Sequence, residues 1–107
     1  MILVAIVVAS PAFAVEGTII GKGADGEPYI DIWRTQEAAE DASVLAQVGK
    51  KVSAVAPLDE FRACTIATPQ RAVTADPNAD YVRVIVVDGE QDGCRGLVRR
   101  DQFEPKN

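Results

Sequence analysis

Tyr81-Val82-Arg83-Val84-Ile85-Val86-Val87-Asp88-Gly89 carries the strongest strand signal in the 107-residue chain. Period-two alternation puts Val82, Val84 and Val86 on one face and Tyr81, Arg83 and Ile85 on the other. Asp88-Gly89 then opens a turn, since both residue types tolerate the backbone that tight reversals demand. Gly96-Leu97-Val98 forms a short closing strand, and Asp76-Pro77-Asn78-Ala79-Asp80 is the turn that precedes Tyr81. Further upstream, Tyr29-Ile30-Asp31-Ile32-Trp33 alternates in the same way, with Ile30 and Ile32 opposite Tyr29, Asp31 and Trp33. Gly17 to Gly21 is a brief apolar strand. Gln36 to Ala42 is polar and alanine-rich, a turn of helix or an ordered loop. Ser43 to Val48 is a strand candidate ended by Gly49, and Lys50 to Ala56 follows until Pro57 stops it. Phe61 to Thr68 and Arg71 to Thr74 flank Pro69 as the arms of a hairpin. Short strands at close spacing with turn residues between them indicate an all-β barrel or sandwich, with Val84, Ile32 and Val98 near its centre.

Composition narrows the function classes. The hydrophobic fraction of 48% with 25% charged residues fits a folded domain and not a disordered tail. A net charge of −5 argues against a nucleic-acid binder, which needs a basic footprint. The absence of His removes the commonest general base and the commonest metal ligand. No charged residue precedes Glu16. Residues 2–9, ILVAIVVA, form an apolar run of signal-peptide length, and Ala12-Phe13-Ala14 supplies the small-x-small pattern for cleavage before Val15. The run is too short to span a bilayer, which takes about 20 apolar residues. Residues 1–14 are therefore expected to be a signal peptide, leaving a single domain over 15–107 in the periplasm or outside the cell, with no membrane span after cleavage. No Lys or Arg precedes the apolar run, so the positive end falls to the terminal amine or to an earlier start codon.

The strand spacing resembles the bacterial Src-homology-3-like domain family, small exported β-barrels of the cell envelope. Gly17-Thr18-Ile19 followed by Tyr29 to Thr35 looks like the family opening, a short strand and then an LNVRSGP-type segment. Val44 to Val52, VLAQVGKKV, looks like the family's central pair of strands about a glycine. Tyr81-Val82-Arg83-Val84, Asp88-Gly89, Gly96-Leu97-Val98 and Phe103 resemble its closing pattern at matching spacing. Tyr81 and Leu97 stand where the family usually has Trp, and the SGP tripeptide is absent. The segment 57–80 is longer than its counterpart and reads as an inserted hairpin; the other reading makes Phe61 to Ile66 the family's W-x-x-V strand. The resemblance implies a small Src-homology-3-like barrel that recognises peptide or cell-wall material through a surface groove, with no catalytic residue and no cofactor.

Cys64 and Cys94 are the sole cysteines. Two thiols in an exported domain most simply form one structural disulfide, which would tie segment 57–80 to the turn before the closing strand. A reactive role lacks both a CxxC spacing and a His to activate a thiolate. Asp88, Glu90 and Asp92 alternate near Gly89 and Gly93, but the full calcium-loop pattern is missing and the acids read as turn residues, so no metal is expected. Without His no nucleophilic triad can be assembled, and paired acids such as Asp59-Glu60 and Glu40-Asp41 are the sole route left to a small hydrolase. The expected ligand-binding residues are Trp33 and Tyr29, presented opposite Ile30 and Ile32, with Arg95, Arg99 and Arg100, near Arg83, as a cationic cluster for a carboxylate-bearing ligand. Two bland alternatives stand beside this: Trp33 closes one end of the barrel, and the arginines pair with Asp88, Asp92, Asp101 and Glu104. The expected function is a non-enzymatic binding module for a cell-envelope component, such as a peptidoglycan peptide, or for a protein partner. The rival is a secreted inhibitor or structural accessory protein that uses the disulfide-tied 57–80 loop.

Overall fold

The structure, a computed structural model, describes residues 14–23, 26–47 and 56–106. The apolar run of the targeting segment and the strand expected from Lys50 lie outside the described residues, apart from Ala56. In chain order the elements are β1 (Val15–Ile19), β2 (Tyr29–Trp33), α1 (Gln36–Gln47), α2 (Ala56–Asp59), β3 (Arg62–Ala67), β4 (Gln70–Thr74), β5 (Tyr81–Val86), β6 (Arg95–Arg99), a 3-10 turn (Arg100–Gln102) and β7 (Phe103–Pro105). The strands make one antiparallel sheet of seven in the order β3-β2-β6-β5-β4-β1-β7. The chain is thus mostly β, as the alternating segments require, with an open strand order whose ends are β3 and β7.

The order demands curvature. β3 is first and β4 fifth in the sheet, four inter-strand steps apart, or about 19 Å if the sheet were flat. Yet Thr68 and Pro69 alone join them, a path of three Cα steps and at most about 11 Å. The sheet therefore curls, and its concave face encloses a core to which every strand contributes: Ile19, Ile30, Ile32, Ile66, Ala72, Val82, Val84, Val86, Val98 and Phe103. Val84, Ile32 and Val98 are at most 1% exposed, at the centre where the alternation puts them.

Two expectations are corrected. Residues 62–67 and 70–74 are strands but not a hairpin: β3 pairs with β2, while β4 lies between β1 and β5. Pro69 has no N–H for a ladder, and Thr68 instead donates its N–H to Pro28 O at 2.9 Å and its hydroxyl to Gly21 O at 2.7 Å. The crossing is thereby tied both to the approach to β2, beside β3, and to the segment after β1 near the other end of the sheet. Residues 43–47 are the end of a helix and not a strand. Thr35 caps that helix, its Oγ1 accepting from Ala38 N–H at 3.1 Å, and Ala38, Ala39, Ala42 and Leu45 form the inward stripe of α1 at helical spacing.

Cys64 and Cys94 are joined, with 30 residues of sequence separation and Cα atoms 6.6 Å apart. Cys64 is paired opposite Ile32 on the concave face of β3, and Cys94 directly precedes β6. Because β2 runs between β3 and β6, the bridge spans across a strand and fixes the curl at that edge.

Candidate binding site

The convex face of β2 and β6 carries the second layer. α1 and the short α2 lay Ala38, Ala39, Ala42 and Leu58 over Trp33 and Leu97. Trp33 does lie opposite Ile30 and Ile32, as the alternation requires, but it is 5% exposed and cannot serve as an open stacking platform. The reason is local: the ladder shifts register between Ile32 and Trp33, and the helix that follows immediately folds back over the ring. Gly96 makes the close approach on β6 work, since a Cβ there would stand 2.4 Å from Trp33 O and 2.7 Å from Ile32 Cγ2. On the side toward β3, the Arg62 guanidinium lies 5.5 Å from the Trp33 ring centroid. It also reaches Asp59 at 3.0 Å and Asp31 at 3.1 Å. The Arg62 Nε–H is not aimed at Asp31, so that approach is a Coulombic contact and not a hydrogen bond. Thr65 donates its hydroxyl to Asp31 instead.

Beside the buried Trp33 the helix stands off from β2, leaving a cleft of about 280 Å³. Trp33 and Ala39 are at its base, Tyr29 and Asp31 form the β2 wall, and Ser43 lies on the α1 wall. Arg99, Gln102 and Lys22 complete the lining. Tyr29 is 52% exposed, so its ring stands open at this cleft. Gln102 accepts the Arg99 backbone N–H at 3.0 Å through its side-chain oxygen, which leaves its amide N–H groups unbonded among the described residues. Arg99 Nε is 2.9 Å from Asp101 Oδ1, an exposed pair that costs little to rearrange. The cleft therefore presents two cations, an amide donor and an aromatic face against one carboxylate, Asp31, already held by Arg62 and Thr65.

The five residues expected to bind a ligand together are dispersed. Tyr29, Trp33 and Arg99 meet in this cleft. Arg100 is turned away by the 3-10 turn and donates to Asn78 O at 3.1 Å, with Asp80 at 3.8 Å. Arg95 lies in a second, more apolar depression over β4, β5 and β6. The acids of the loop after β5 serve as turn residues: Asp88 pairs with Arg71, and Asp92 Oδ1 accepts the Asp88 N–H at 3.0 Å. No group of acids and cysteines among the described residues is placed to hold a metal ion, and no helix among them is long and apolar enough to cross a membrane. Ser43, Gln102 and Lys22 escaped notice in the sequence because a strand was expected at Ser43, and nothing in the pattern joins 22 and 102 to β2. No known protein-family model, characterised protein or solved structure matches the chain.

Proposed function

We propose that the chain is an exported, non-enzymatic binding module with a Src-homology-3-like curled sheet, and that its ligand is a short carboxylate-bearing peptide of the cell envelope, such as a peptidoglycan stem peptide. The observation that carries this reading is the cleft between α1 and β2, where the exposed Tyr29 ring, Lys22, Arg99 and the Gln102 amide converge in about 280 Å³. That volume suits a fragment of a few residues and is near the small end of ligand pockets. A peptide carboxylate would take Arg99 and Lys22 while its apolar part lies on Tyr29 and the helix alanines. A disulfide accords with an oxidising compartment, as does the Ala12-Phe13-Ala14 pattern with cleavage before Val15. A single core that draws on all seven strands is what a one-domain, mostly β binding module requires.

The test is calorimetric titration of the exported protein, its processing verified by intact mass, with a soluble stem-peptide fragment and with the same fragment amidated at its carboxylates. Saturable binding is expected for the first and not the second, with about a tenfold loss in Tyr29→Ala or Arg99→Gln. Equal binding of the two fragments, or no heat from either, would refute it.

A further inference from the structure

We propose that the convex face of β4, β5 and β6 is a docking surface for an acidic, apolar-rich segment of a partner protein. This surface is distinct from the α1–β2 cleft. Arg34 donates to Arg62 O, Arg62 faces Asp31 and Asp59, Arg71 faces Glu16 and Asp88, Arg99 faces Asp101, and Arg100 faces Asp80. Among the described residues, the guanidinium groups of Arg83 and Arg95 alone among the arginine side chains make no hydrogen bond or ion pair, although the Arg83 backbone carbonyl accepts the Thr74 hydroxyl. Both arginines line one depression, of about 640 Å³ with Ala14 at its margin and open on that side once the chain is cleaved before Val15.

The ladder fixes their arrangement. Arg83 is opposite Leu97 and Ile85 is opposite Arg95, so the two cations occupy diagonal corners of a square whose other corners are apolar. Diagonal neighbours on such a face have Cβ atoms about 7–8 Å apart. Two exposed guanidinium groups rooted on diagonal positions of one face, neither with a side-chain partner among the described residues, leave a local positive charge that an anion can satisfy. Val73, opposite Ile85 on β4, and Tyr81 extend the apolar part. Ile85 itself is 37% exposed, a large aliphatic side chain left in water at the middle of a sheet face.

The mixture identifies the occupant. A polyanion such as a nucleic acid or an anionic membrane would meet the acidic remainder of the chain and leave Ile85 and Val73 without a partner. A protein segment bearing one or two carboxylates among apolar side chains satisfies both features locally. From Tyr81 to Ile85 the face is about 13 Å long, room for some four extended residues; Asp76 also lines the depression, while Glu16 on β1 is paired with Arg71.

The probe is a fluorescein-labelled peptide alternating Glu and Leu, titrated into the full exported chain, with the Gln–Leu analogue as control and amide chemical shifts as the map. Saturable binding of the Glu–Leu peptide alone is expected, with shifts on β4, β5 and β6, a fall in affinity with added salt, and about a tenfold weakening in the Arg83→Gln/Arg95→Gln double variant. Both substitutions are at exposed positions, and unchanged circular dichroism would separate a docking loss from misfolding. If the fold is disturbed, Arg95→Lys serves instead, expected to bind more weakly than the parent and still to prefer Glu–Leu over Gln–Leu. Equal binding of both peptides, absence of binding, shifts confined to Tyr29 and α1, capture by anionic vesicles, or self-association that masks the same amides would each overturn the proposal.

Discussion

Trp33→Ala separates a core residue from a binding anchor, and its magnitude follows from the packing. The indole is 5% exposed, enclosed by Ala38, Ala39, Ala42, Leu58 and Leu97. An aromatic side chain of this size removes about 150–250 Å² from water, at roughly 25 cal/mol per Å², and a Trp or Phe truncated to Ala in a core costs about 3–5 kcal/mol. The Arg62 guanidinium over the ring loses a further contact worth about 0.5–1 kcal/mol. Against a total of about 5–15 kcal/mol for a small domain, this is a large fraction, so Trp33→Phe should be measured beside it at an expected cost of about 1–2 kcal/mol. Urea unfolding followed by far-ultraviolet circular dichroism is the assay. With an m-value of about 1.5 kcal/mol/M, the midpoint of Trp33→Ala should fall by about 2–3 M. Native Trp emission should also be blue-shifted relative to the unfolded chain. A stability change within about 0.5 kcal/mol, as at an ordinary surface position, together with unshifted emission, would refute the covered-face geometry.

Removing both sulfurs in Cys64→Ala/Cys94→Ala should destabilise by about 3–4 kcal/mol, the loop-closure value for a bridge of this span. Thiol titration of the unfolded, unreduced parent should find no free sulfhydryl, and two would refute the link. Gly96→Ala should cost about 1–3 kcal/mol, because its Cβ meets backbone at Trp33, whereas Gly26→Ala faces open space and meets only its positive φ. Equal thermal midpoints for Gly96→Ala and the parent would show that β2 and β6 are not so closely apposed.

Strands with clean alternation were legible in the residues: 29–33 and 81–86 lie where the pattern places them, and Val82, Val84 and Val86 face inward. α1 was not legible as a whole because its second half, SVLAQ, also suits a strand. The decisive signals were Thr35 as a cap and the Ala38–Ala39–Ala42–Leu45 spacing, which period-two reading obscures. The same helix covers Trp33, for which the strand pattern alone allows either an open stacking face or closure of one end of the barrel. The hairpin across Pro69 failed for a different reason: local sequence marks a change of direction, but only the long-range pairing with β2 decides whether the chain reverses or crosses the curl. In the same way Lys22 and Gln102 reach the cleft through the tertiary fold, which no local pattern encodes.

The splitting of the arginine cluster follows from two periodicities. Along β6 the residues Arg95, Leu97 and Arg99 share the convex face, so Arg95 and Arg99 are about 13 Å apart along the strand. Leu97, buried under α1, stands between them. A ligand confined to the 280 Å³ cleft therefore engages Arg99 without reaching Arg95. Beyond Arg99 the 3-10 turn rotates Arg100 toward Asn78, out of both depressions. One strand thus supplies a cation to each depression: Arg99 with Asp101 at hand as an exchangeable partner, and Arg95 with none. Groups that far apart with no shared partner act additively. Losses at Tyr29 and Arg99 and losses at Arg83 and Arg95 are accordingly separable in one protein, so failure of either surface to bind leaves the other open to its own test.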